Sequence, residues 1–174
     1  MLILKYVAKL LKALTSGESP KQLAGGLILG MVLGLVPFGN LISLFIIVLI
    51  ILINVNVSMA ILGFAVFKGI AYLLDPVFHD LGYQLLVNTP ALKGIWTSLY
   101  NSPVFVLTNF NNTVVLGSFL ISLVLLLPVF FLAKVGVVQY REKIHARVVK
   151  WKIIQIMKST KLYSIYENID NWRN

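Results

Sequence analysis

Three ionisable residues lie close together in the sequence: Asp75, His79 and Asp80. Carboxylates and an imidazole at helical spacing can bind a metal ion or relay protons. A structural interpretation competes with this one, because Asp75 before Pro76 is typical of a helix start, and His79 and Asp80 fit a polar helix face. We therefore predict no metal ligands here, and keep the three residues, with Lys68, as a candidate polar site in the membrane.

Other patterns that support catalysis are missing from the sequence. It contains no H-E-x-x-H, P-loop or G-x-S-x-G motif. It has no cysteine, which excludes disulfides, thiolate metal sites and cysteine nucleophiles, and only six acidic residues for acid–base work. We predict a protein that is not an enzyme, with no catalytic residue and no cofactor.

The composition indicates the elements that must position these residues. Hydrophobic residues make up 59% of the 174 positions and charged residues 12%, and the mean hydropathy is +0.90. The apolar residues form long blocks at 22–37, 41–53, 57–74 and 113–133. Blocks of this kind predict helical membrane segments rather than the alternating strands of a barrel. We expect an all-α integral membrane protein with one membrane domain over 1–174.

The basic residues are concentrated at the two ends of the sequence. Residues 1–21 hold four lysines, and residues 134–174 hold nine of the fifteen Lys and Arg residues. Positive charge marks cytoplasmic flanks, so we predict a multi-pass protein of a bacterial inner membrane with both termini cytoplasmic. Basic tails also suit nucleic acid, but the apolar blocks favour membrane lipids as the partner.

Both basic ends have an amphipathic pattern. Residues 1–18 predict a helix with three lysines on one face, and residues 135–174 predict a basic cytoplasmic tail. In the tail, Lys143, Arg147 and Lys150 lie on one stripe, and we expect them to contact anionic lipid.

The segment 19–74 begins with a helical hairpin. Ser19, Pro20 and Gln22 form a capping box that starts the first helix. Sixteen apolar residues span about 24 Å and the block 41–53 about 20 Å, less than a bilayer core of about 30 Å. Pro37, Gly39 and Asn40 form the predicted turn, which must reach water or be covered by protein.

A stripe of glycines follows one face of the first helix: Gly26, Gly30 and Gly34. Small residues at intervals of four allow two helix backbones to approach closely in lipid. We predict a helix-packing seam, whose partner helix lies either in this chain, with the return helix 41–53 as the candidate, or in another chain.

The remaining segments complete the predicted topology. Residues 57–74 form a third span, in which Lys68 either reaches the surface or marks a polar site. Residues 75–112 predict short interfacial helices on the periplasmic side, beginning at Asp75-Pro76, Thr89-Pro90 and Ser102-Pro103, with Tyr83, Trp96 and Tyr100 at headgroup level. The last span covers 113–134.

Two stretches, "SPKQLAGGLILGMVLGLVP" and "NVNVSMAILGFAVFKGIAYLLDP", resemble a group of bacterial inner-membrane proteins of unknown function. The resemblance covers nearly the whole chain and is strongest to the short stand-alone members. The matching positions are Ser19, Pro20, Gly30, Gly34, Pro37, Asn56, Asp75 and Pro76. The resemblance implies that genes of this group lie next to the gene of a large membrane-anchored envelope protein. It therefore implies such a protein as a partner.

These observations predict a non-enzymatic inner-membrane subunit. It would assemble with the larger envelope protein, in lipid transport across the periplasm. The alternative is a small transporter or channel built on broken helices, which needs a polar path through the membrane.

Overall fold

The computed structural model of the protein describes residues 17–144. Residues in this range form no strand, which confirms the all-helical prediction. The predicted helix over 1–18, apart from its last two residues, and the tail beyond residue 144 lie outside the described part. The α-helices are α1 (Pro20–Leu35), α2 (Leu41–Leu52), α3 (Val57–Leu86), α4 (Lys93–Tyr100), α5 (Pro103–Val106) and α6 (Thr113–Gln139), with a 3-10 turn at Pro90–Leu92 and a π-helical turn at Tyr140–Ile144.

Two segments of the described chain are long and apolar enough to cross a membrane, Val57–Leu86 and Thr113–Lys143. The other two apolar helices are shorter, since α1 has 16 residues and α2 has 12. At 1.5 Å per residue they extend about 24 Å and about 18 Å. The described fold thus combines two candidate spans with a short helical hairpin.

Helices α1, α3 and α6 form the packed bundle. Helix α1 runs parallel to α3, and α6 runs antiparallel to α3. Helix α2 buries only Ser43 and Ile46. We call the end of the bundle that contains Glu18 the Glu18 end, and the opposite end, where α3 finishes, the Leu86 end. The larger core cluster comprises Met31, Val32, Leu35, Val36, Ile46, Ala71, Phe78 and Val115.

Polar side chains start the four longest helices. The Ser19 hydroxyl accepts from the Gln22 backbone N–H at 3.2 Å, and the Gln22 side chain accepts from the Ser19 N–H at 2.8 Å. This confirms the predicted capping box. Three asparagines start the other helices by accepting first-turn N–H groups, namely Asn40, Asn56 and Asn112. Each cap satisfies donors that a helix start would otherwise leave unpaired.

The predicted helix start at Asp75-Pro76 is wrong, because α3 continues from Val57 to Leu86 with Pro76 inside it. Proline has no N–H and removes one hydrogen bond, which in an isolated helix costs about 3 kcal/mol. The helix persists because Phe78 and Gly82 are fully packed against α6 beyond the proline. Asp75 is therefore a residue of the helix interior, and the third apolar segment does not end at 74.

The last span is also longer than predicted, because α6 ends at Gln139 and not at residue 134. Lys134 does not break a helix, and Val137 packs with Leu23 and Met59 near the Glu18 end. The two other helix starts predicted for 75–112 are confirmed, since Pro90 begins the 3-10 turn that precedes α4 and Pro103 begins α5.

Candidate functional site

The glycine stripe of α1 lies directly against the backbone of α3. A Cβ at Gly26 would overlap the Asn56 carbonyl oxygen, and one at Gly30 would overlap that of Ala60. The partner that the sequence left open is therefore the third apolar segment of the same chain. The return helix α2 does not take this place, because its bulky sequence "LISLFIIVLIIL" offers no small-residue face.

A second close contact joins α3 to α6 near the Leu86 end. A Cβ at Gly117 would overlap the Phe78 carbonyl oxygen, and one at Gly82 would overlap that of Thr113. Ser118 and Ser122 are fully buried beside it, and each donates to a carbonyl of its own helix. Sequence reasoning missed Gly82, because it assigned this segment to a separate interfacial helix.

Several polar groups of the hairpin turn are paired by hydrogen bonds. The Asn40 amide donates to the Pro37 carbonyl at 2.8 Å, and its oxygen accepts from the Ser43 N–H at 2.9 Å. The Leu41 N–H donates to the Leu107 carbonyl at 2.9 Å, so the segment after α5 contacts the start of α2. The predicted role of Asn40 as a cap is confirmed, and most of its side chain is buried.

Gly39 has the positive φ of 98° that the predicted turn requires. A side chain at this position would strain the backbone, although the space around it is open. The sharp reversal between α1 and α2 therefore depends on Gly39 for its backbone and on Asn40 for its hydrogen bonds.

We expect Asn40→Ala to destabilise the bundle by about 1–2 kcal/mol, because the substitution removes a helix cap. Asn40→Asp keeps the acceptor for Ser43 but loses the donor to Pro37, so we expect a smaller loss. Thermal unfolding of both purified variants in one detergent gives the comparison. Equal stability of Asn40→Ala and the unaltered protein would contradict this role.

The candidate polar residues of α3 are not gathered into one site. The Nδ1 atom of His79 lies 2.8 Å from the Thr113 hydroxyl, and its ring stacks on Tyr83. Lys68 is half-buried with its Nζ 5.9 Å from the centre of the Tyr72 ring. Asp75 is half-buried and Asp80 is exposed. No group of three His, Asp or Glu residues within 17–144 could hold a metal ion.

A polar contact at the Glu18 end joins three distant parts of the chain. The buried Asn56 amide donates to both carboxylate oxygens of Glu18, at 2.9 and 2.8 Å. Arg141 donates to the Glu18 backbone carbonyl at 2.8 Å. We call these three residues the Glu18 latch. Sequence reasoning missed it, because Glu18 and Asn56 are 38 positions apart and no local pattern relates them.

The latch also places the two ends of the described chain at the same end of the bundle. The basic segments 1–16 and 145–174 therefore continue from neighbouring points. Of the residues expected to contact anionic lipid, Lys143 lies just beyond the latch and is exposed, whereas Arg147 and Lys150 lie outside the described residues.

The outer face of α2 is one of the exposed apolar helix surfaces of the bundle. Ile51 and Leu52 are each 75% exposed, and Phe45 is 58% exposed. Monomeric soluble proteins rarely expose contiguous apolar areas of this kind, which mark contacts with lipid or with another protein. The exposed face of α2 is thus a candidate surface for contact with lipid or with another protein.

Comparison with known proteins finds a matching family model and a distant relative. Residues 4–146 match a family model described as "Uncharacterized protein conserved in bacteria (DUF2062)". A relative from Treponema pallidum (strain Nichols), named "Uncharacterized protein", is 23% identical over 160 residues, which cover 92% of this chain and 98% of the relative. No solved structure matches the chain significantly.

Proposed function

Since the chain belongs to this bacterial family of uncharacterized proteins, we propose that it is a non-enzymatic subunit of the inner membrane that docks a larger membrane-anchored protein of the envelope. The exposed apolar face of α2 carries this proposal. Helix α2 is too short to span a bilayer and fully buries only Ser43 and Ile46. A partner helix against this face would complete its packing.

The buried polar groups of the described bundle favour a subunit over a transporter. Asn40, Ser43, Ser118 and Ser122 bond within their own turn or helix, and Asn56 bonds to Glu18 at one end. Transport sites in broken helices need backbone or side-chain polar groups that are free for the substrate. The groups that residues 17–144 bury are occupied by the fold itself.

A photoreactive amino acid at position 45 tests the docking surface in living cells. We expect a discrete cross-link from Phe45 to one larger membrane protein. The matched control is Val124, which is 76% exposed on α6 and should yield lipid adducts only. Lipid adducts alone at both positions would refute docking through α2.

Both termini are proposed to be cytoplasmic, with 87–112 on the periplasmic side. The latch places Glu18 and Arg141 at the same end of the bundle, and positive flanks remain on the cytoplasmic side. Because the chain has no cysteine, single cysteines at Ser16, Asn101 and Asn174 report the topology directly. We expect an impermeant thiol reagent added from the periplasm to label only position 101. Labelling of position 101 only from the cytoplasm would show that the topology is the reverse of the proposed one.

The proposed assembly serves lipid transport across the periplasm. The short hairpin supports this step, because helices of about 24 Å and about 18 Å favour local thinning of the bilayer. Transfer of labelled phospholipid from the inner to the outer membrane should slow when the protein is depleted. An unchanged transfer rate, together with an intact cross-link from position 45, would refute the role in lipid transport and would leave the docking role standing.

A further inference from the structure

Four apolar side chains project where the hairpin turn meets α5, and we call them the apolar tip: Phe38, Val104, Phe105 and Leu107. Phe38 is 63% exposed, Val104 61% and Leu107 62%. The hydrogen bond from the Leu41 N–H to the Leu107 carbonyl holds the two segments together. The tip thus combines exposed apolar side chains from two segments that this hydrogen bond joins.

The tip lies at the level where α3 changes from apolar to polar. A Cβ at Gly34 would lie 3.0 Å from the backbone nitrogen of Lys68. The hairpin turn begins at Pro37, about one turn of helix beyond Gly34. Between 57 and 74 the only charged residue of α3 is Lys68, whereas Asp75, His79 and Asp80 follow. This change in composition marks the boundary of the hydrocarbon region at the Leu86 end.

The chemistry of the tip suits acyl chains. Residues 94–112 contain no Lys, Arg, Asp or Glu, so no charge there opposes entry into lipid. In the turn beneath the tip, Asn40 pairs with the Pro37 carbonyl and the Ser43 N–H, and the Leu41 N–H pairs with the Leu107 carbonyl. Backbone at membrane depth requires this kind of internal pairing.

Trp96, which the sequence assigned to the headgroup level, also makes two contacts within the protein. Its Nε1 donates to the Leu85 carbonyl at 2.8 Å, and its ring stacks on Phe110 with 6.0 Å between ring centres. The indole therefore fastens α4 to the end of α3.

We propose that the apolar tip inserts into the lipid leaflet at the Leu86 end, with acyl chains as its partner. The insertion anchors the segment 87–112 to the bilayer surface. This inference is independent of the docking role of α2, because it concerns a different surface and a different partner.

Spin labels on single cysteines test the insertion in the full chain, reconstituted in vesicles of phosphatidylethanolamine and phosphatidylglycerol. Labels replace Phe105 and Leu107 in the tip, and Asn101 and Asn111 as exposed polar controls in the same segment. We expect tip labels to collide more often with oxygen than with a water-soluble nickel chelate, and control labels to show the reverse.

Two results would overturn the proposal. Tip labels that collide with the nickel chelate as often as the controls would place the tip in water. Tip labels shielded from both reagents would show that protein, either a second copy or another chain, covers the tip. If Leu107→Cys does not elute as a monodisperse species, Val104→Cys replaces it, because the Leu107 carbonyl, and not that of Val104, accepts the hydrogen bond from the turn.

Discussion

Gly30→Leu should abolish the folded bundle rather than weaken its assembly with another chain. A Cβ at this position would overlap the Ala60 carbonyl oxygen and come within 2.9 Å of the Phe64 nitrogen. Both obstacles are backbone atoms of α3, which cannot move aside as a flexible side chain does. Overpacking of cores costs about 1–3 kcal/mol when side chains can adjust, so we expect a loss of at least about 3 kcal/mol here.

The matched control is Gly69→Leu on α3, where the added side chain meets open space. Membrane abundance, monodisperse elution in detergent and thermal unfolding should be compared for both variants. We expect Gly69→Leu to behave like the unaltered protein. If Gly30→Leu is equally stable, the close approach of α1 and α3 does not exist in the membrane.

Asn56→Asp should produce the second largest loss, because it sets a new carboxylate against the carboxylate of Glu18. The aspartate keeps the acceptor for the Met59 N–H, which Asn56 satisfies at 2.7 Å. The substitution therefore isolates the contact with Glu18 from the helix cap. A lost partner at a buried polar group costs about 1–3 kcal/mol, and we expect about 2 kcal/mol because Glu18 is only half-buried.

The pH dependence of this variant gives an independent measurement. A carboxylate pair is relieved when one member holds a proton, so the loss in Asn56→Asp should shrink as the pH falls through the acid range. Asn54→Asp is the control, since Asn54 is exposed in the same turn. A loss that is independent of pH, or equal in Asn54→Asp, would contradict the direct contact.

Local sequence patterns predict correctly those contacts that join residues close together in the chain. The capping box at Ser19 and the cap at Asn40 involve residues three positions apart, so their chemistry is visible in the sequence. The sequence also predicts the glycine stripe as a surface. It does not identify the opposing helix, because both following apolar segments are long enough to reach it.

Asp75-Pro76 shows where a local pattern gives the wrong answer. The pair fits a helix start, and in the structure it lies inside a 30-residue helix. The deciding interactions come from Gly117 and Thr113, more than thirty positions later in the chain, which hold Phe78 and Gly82. The Glu18 latch is unpredictable for the same reason, since its contacts depend on tertiary packing rather than on spacing.

The latch has a consequence for the order of assembly during synthesis. The bond from Arg141 to Glu18 spans 123 positions. At a translation rate of about 5–20 residues per second, roughly six seconds or more separate the appearance of the two partners. For that interval α1 lacks α6, whereas α3, which covers its glycine face, ends at Leu86 and is made earlier. Helix α1 thus meets its two neighbours in the bundle in separate steps, first α3 and then α6.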